Sequence, residues 1–301
     1  MKMIEPLAVT DAVLIATNLI EDDAPVWDVA TSYAVDAQVI SIATHSVYVS
    51  ETAANLGNDP DTDDGTNWTR LSATNIWKAF DQLIAGQIEN ADLISYTLQP
   101  AGEVSGIAFF GLDADAIDIE VSLGAASYSF HQDLVNVDDV EGWYSWLFSG
   151  FVREREALFL NLPYLGAGTE YKIDITGSGT IKVGQIAAGR TTTIGTTEWG
   201  AGIGLNDYSR KDSDVFGNVY IVERGFSRLA SFPIGVDAKK ARRVQRKMED
   251  FRATPAVWIG DDRAEYALII YGFYKSYTHV LTIDNWSRAL IEVEGLTNGS
   301  T

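Results

Sequence analysis

Tyr171-Lys172-Ile173-Asp174-Ile175 and Ile117-Asp118-Ile119-Glu120-Val121 decide the fold class, because apolar and polar residues alternate strictly in both. Successive side chains of a strand point to opposite faces, so period two marks a strand with one face buried. The same period recurs at Ile107, Phe109 and Gly111, at Leu158, Leu160 and Leu162, and at Ile181 and Val183. Gly166-Ala167-Gly168 and Gly177-Ser178-Gly179 punctuate the later runs. Short alternating runs separated by glycine turns predict an antiparallel β-sandwich of jelly-roll type over residues 73–190.

Outward from that block the pattern changes twice. Residues 191–301 read as a C-terminal β-rich scaffold with one helix, about 237–253. Asp237 is its N-cap, and Ala241, Val244, Met248 and Phe251 form its apolar stripe. Pro255 disfavours helix at Thr254 and ends it. Ala256-Val257-Trp258-Ile259, Tyr266–Tyr271, His279–Ile283 and Ala289–Val293 follow as strand-like runs. On the other side, residues 1–24 read as an extended lead-in and 25–72 as a small separate unit. The aromatic cluster Trp143, Tyr144, Trp146, Phe148 and Phe151 predicts two-sided burial.

The charge is divided unevenly. Residues 1–150 hold 24 acids against 3 bases, and residues 151–301 hold 18 against 19. So acidic an N-terminal half repels phosphate backbones and anionic membranes, which argues against nucleic-acid partners. The cations at 239–247 carry no interleaved aromatic residue, which favours a solvated helix face or an acidic neighbour. No cysteine is present, so disulfides and thiolate metal sites are excluded. No run is long and apolar enough to span a membrane or serve as a secretion signal, so no membrane insertion is expected.

Nor does a catalytic or metal constellation emerge. His45, His131 and His279 share no ligand spacing. The loop Asp59-Pro60-Asp61-Thr62-Asp63-Asp64-Gly65 has the acids of a calcium loop. Its glycine falls one position late, however, and Arg70 stands where the closing glutamate belongs. No Gly-x-Ser-x-Gly elbow occurs, and Gly200, Gly202 and Gly204 complete no dinucleotide fingerprint. The expectation is a protein that is not an enzyme and needs no cofactor or metal.

Trp27, Tyr33, Val39, Tyr48, Asn58, Pro60, Trp68 and Leu71 form a spaced pattern. It resembles the small chitin-binding-type carbohydrate modules of families 5 and 12. The resemblance implies a short three-stranded scaffold and makes Trp27, Tyr33, Tyr48 and Trp68 candidate sugar-stacking residues. Asp36 stands near the place of the family's usual glycine. A unit of about 45 residues also needs some of these rings as core, and Trp27 and Trp68 are the first candidates for that. The segment Thr74–Asp81 is similar to the opening of galactose-binding-like jelly rolls.

Further along, Gly195–Gly200, Asn206–Asn218, Val222–Ser227, Pro255–Gly260, Ile270–Lys275 and Ile291–Leu296 together resemble a recurring region of tail proteins from long-tailed bacteriophages. That group also carries the Trp27–Trp68 type of module near its start. The resemblance implies a virion structural protein of the tail tip or baseplate, made in the host cytoplasm. Its partners would be copies of itself in a trimeric or hexameric ring, other tail proteins, and bacterial surface polysaccharide. A tail adaptor that binds no sugar, and a polysaccharide-degrading enzyme with a binding module, are the alternative expectations.

Overall fold

The alternating runs become strands, and the computed structural model is mostly β, with 56% strand against 6% helix. The structure describes residues 1–136, 142–143, 152–213, 216–261, 268–283 and 286–298. Two predicted breaks do not occur. Gly177-Ser178-Gly179 sits inside one strand, Glu170–Val183, as an irregularity in its pairing with Ile88–Leu98. There an extra loop of backbone bulges out while Ile173, Ile175, Ile181 and Val183 all stay buried. Likewise Tyr271 and His279 belong to one strand, Leu268–Ile283, rather than two. Tyr144, Trp146, Phe148 and Phe151 lie outside the described residues, and Trp143 is exposed.

Ten strands form one sheet. Its order is Glu156–Leu160, Gly106–Phe110, Gln185–Thr193, Lys2–Pro6, Ala256–Asp261, Leu268–Ile283, Trp286–Gly295 and Phe226–Asp237, with Thr196–Thr197 and Gly202–Asp207 both on the last. Lys2–Pro6 was expected to lie in a lead-in, yet it occupies the middle of this sheet. It pairs with Gln185–Thr193 on one side (Ile4 opposite Thr191) and Ala256–Asp261 on the other (Ile4 opposite Val257). The strand carries no alternation signal because both of its faces are covered: Met3 and Ile4 are each fully buried, in different clusters. The predicted boundary at 190/191 therefore falls within a strand of a sheet that runs through both blocks.

One face of the large sheet has two covers. Towards the Glu156–Leu160 end, Ile107, Phe109, Phe159, Ile186 and Ala188 pack against a five-stranded antiparallel sheet that includes Ala116–Leu123 and Glu170–Val183. This is the sandwich. Further across the same face, Met3, Trp258, Phe232 and Ile291 take the helix Ala238–Asp250 through Val244 and Met248. Asp237 caps the helix by accepting from Lys239 N at 2.9 Å, and Tyr274 Oη donates to Met248 O at 2.7 Å near its other end. The opposite face buries Ile4, Phe110, Val257 and Tyr271 with Ile84.

The small unit is tied back by polar contacts. His45 bridges Glu21 at 2.8 Å and Asp11 at 3.0 Å while stacking on Trp77. Glu21 also accepts from Thr74 Oγ1 at 2.6 Å, and Asp23 accepts from Asn75 N at 2.8 Å.

Gly189 faces Pro6 across the central ladder, and a Cβ there would run into the Glu5 carbonyl. Gly189→Ala should therefore spread the Lys2–Pro6 pairing and destabilise the whole chain by about 2–4 kcal/mol. Chemical denaturation checks this. Unfolding at the wild-type midpoint would show that the ladder is not needed there.

Candidate functional site

Three strands build the candidate binding unit: Gln38–Ser41, Ser46–Ser50 and Trp68–Ala73. Val39 lies opposite Tyr48, and Ser50 lies opposite Trp68. Asp36, just before the first of these strands, makes a turn in the left-handed region at φ 65°, with its N–H donating to Ser50 O at 2.8 Å. Aspartate tolerates that conformation better than most residues, so the departure from glycine still permits a turn.

The structure brings the four candidate aromatics into one cluster with unequal access. Trp68 is 2% exposed and Tyr48 8%, so with Val39 they form the core. Trp27 and Tyr33 are half-buried against that core. The edge of Tyr33 meets Trp68 at 5.3 Å between ring centroids. Tyr33 Oη also accepts from Asp28 N at 2.7 Å, and Trp68 Nε1 donates to Asn58 O at 2.9 Å. Trp27 Nε1 is buried with no acceptor. The exchange relative to expectation is between Tyr48 and Trp27: the tyrosine is core and the tryptophan is partly open. Sequence spacing alone cannot separate them, since both fit an aromatic pattern.

The acidic loop is spent on its own architecture. Asp61 accepts from Ser41 Oγ at 2.6 Å and Thr44 Oγ1 at 2.8 Å, tying the loop to the first hairpin. Asp63 takes the backbone N–H groups of Gly65, Asn67 and Trp68, each at 3.0 Å, and Asn67 Nδ2 at 2.8 Å. Burial is the largest single influence and pushes the Asp63 carboxyl up, but these donors together outweigh it and hold the group at about 2, below the usual 3.8. Among the described residues, no group of three or more His, Cys, Asp or Glu side chains is placed to hold a metal ion.

A second concave site went unread in the sequence. Between the helix and the strand Gln185–Thr193 lies a cleft of about 480 Å³ whose rim includes Arg190, Lys240, Arg243, Lys247 and Trp286. The basic run 239–247 signalled cations, but which surface they overlook depends on the large sheet.

Comparison of the chain with protein-family models and with curated proteins finds no match.

Two outcomes follow for the small unit. Trp68→Ala should destabilise it by about 3–5 kcal/mol and Tyr33→Ala by about 1–2 kcal/mol, as thermal melts would register. Asp63 has a folded-state pKa below its unfolded one, so the stability it adds is complete above about pH 4 and fades as the pH falls towards 2. Asp63→Asn should lower the melting temperature at pH 6 and leave a shallower acid decline than wild type. Parallel melting curves for the two proteins between pH 2 and 6 would contradict this assignment.

Proposed function

We propose that this chain is a non-enzymatic structural component of a long-tailed bacteriophage tail tip or baseplate. It assembles with copies of itself through its C-terminal part and presents the 25–72 unit to cell-surface polysaccharide. The observation that carries the assembly reading is an exposed β-arm with one charged and one apolar strand. Gly202–Asp207 pairs with Phe226–Asp237 at the sheet edge, and the same hairpin continues outward as Arg210–Ser213 paired with Val219–Val222. Every described residue of that outer pair is exposed. The exposed side chains include Leu205 at 66% and Ile221 at 72%.

A two-stranded hairpin standing alone is marginal in water, and the exposed apolar strand Val219–Val222 on it is the kind of surface a protein partner covers. The arm belongs to the half of the chain whose charge is balanced, where neighbouring copies repel least. A symmetric ring of such copies would cover the arm and leave the strongly acidic unit outermost.

For sugar contact, Trp27 and Tyr33 are the available faces, because Tyr48 and Trp68 serve the core. That same division favours a second reading, in which the unit is a tail adaptor that binds no sugar. With two of four rings and most loop carboxylates already committed, its capacity for a ligand is reduced.

Leu205→Asp and Ile221→Asp, tested together by light scattering and by incorporation into particles, should shift the protein from oligomer to monomer and abolish incorporation. Both residues are exposed, so the monomer should melt within about 0.5 kcal/mol of wild type. A wild-type protein that stays monomeric at high concentration and is absent from particles would overturn the proposal. Retention on host envelope polysaccharide that is lost in Trp27→Ala and Tyr33→Ala separates the receptor role from the adaptor role.

A further inference from the structure

The cleft beside the helix has features that a mere charged surface lacks. Lys240, Arg243 and Lys247 recur at helical spacing on one stripe, flanking the buried Val244, and all three line the cleft with Arg190. Their partners are unequal. Lys247 is bound to Glu5 at 2.5 Å, and Glu5 is further occupied by Thr192 Oγ1 at 2.5 Å. Arg190 has a loose contact with Glu103 at 3.7 Å. Lys240 and Arg243 meet no acid among the described residues. Asp237 is the one carboxylate in the lining, and it already accepts from Lys239 N as the helix cap. In a chain of net charge −20, this cleft therefore gathers cations, two of them without an acid partner among the described residues.

The lining also holds one aromatic ring. Trp286 lines the cleft, 37% exposed, with its ring laid across Gly235 of the neighbouring strand. A Cβ at Gly235 would collide with that ring, so the glycine is what permits the tryptophan to lie there. Thr193 and Thr196 add hydroxyl groups to the lining. The volume falls within the range of small-ligand sites, and its concavity suits a compact ligand better than a flat protein surface.

We infer that this cleft binds a carboxylated sugar unit. The apolar face of the ring stacks on Trp286, its carboxylate meets Arg243 and Lys240, and its hydroxyls reach the threonines. A guanidinium takes a carboxylate through paired hydrogen bonds, which an ammonium alone does not. The inference is independent of sugar binding by the 25–72 unit, and the two fail separately.

Isothermal titration of the full chain at low salt tests it, with oligogalacturonate as the carboxylated probe, neutral galactobiose and inorganic phosphate as comparisons. Oligogalacturonate should bind at least about tenfold more tightly than either comparison. Arg243→Ala and Trp286→Ala should each weaken it about five- to tenfold, while paired Trp27→Ala and Tyr33→Ala changes leave it unaltered. Arg243 is exposed, so its variant should keep the wild-type melting temperature even if the tryptophan variant does not. The inference is overturned by no binding, by phosphate binding equally well, or by binding that depends on Trp27 and Tyr33 instead. It is equally overturned if Arg243→Ala leaves binding intact but dissociates the oligomer, which would make the cleft a contact between copies.

Discussion

The pairing of Lys2–Pro6 into the middle of the ten-stranded sheet is the constraint on which the rest depends. Its backbone groups face two ladders, one to a strand that closes the sandwich and one to the block that carries the helix and the arm. Met3 faces the helix-covered core, and Ile4 faces the core on the other side. Removing this strand would leave two facing edges with unpaired N–H and C=O groups in the interior, each costing about as much as a lost buried hydrogen bond. The strand also pairs with segments that lie far along the chain, so its ladders carry a large loop-closure cost and slow folding.

From this the layout follows. A continuous sheet couples the sandwich to the helix-bearing block. The small unit hangs from the sandwich through Glu21, Asp23 and His45. The arm extends from the other side of the large sheet through Phe226–Asp237. The surfaces proposed for binding and for assembly are thus carried on different elements. A change in the arm need not disturb the small unit, whose own core is Val39, Tyr48 and Trp68.

What the sequence discloses depends on how each element is buried. Strands with one solvated face, such as Ala116–Leu123, announce themselves by alternation, and the helix announces itself by the Asp237 cap and the Val244–Met248 stripe. Lys2–Pro6 is short and buried on both faces, so it shows no period, and the shared sheet could not be read. Gly177 to Gly179 resemble a turn because glycine serves turns and bulges alike. At the candidate site the aromatic spacing located the cluster but not which rings are core. The cleft was illegible because its cations come from the helix and from Gln185–Thr193, its Gly235 from Phe226–Asp237 and its tryptophan from Trp286–Gly295.

The molecule thus combines a central ladder paired on both sides with an exposed arm that we propose a neighbouring copy covers. Hydrogen exchange followed by mass spectrometry, repeated at low and high protein concentration, tests both parts at once. The amides of Lys2–Pro6 should exchange as slowly as the most protected strands at every concentration. Those of Arg210–Ser213 and Val219–Val222 should exchange rapidly when dilute and become protected when the protein is concentrated. Fast exchange in Lys2–Pro6, or an arm whose protection is the same at both concentrations, would contradict this arrangement.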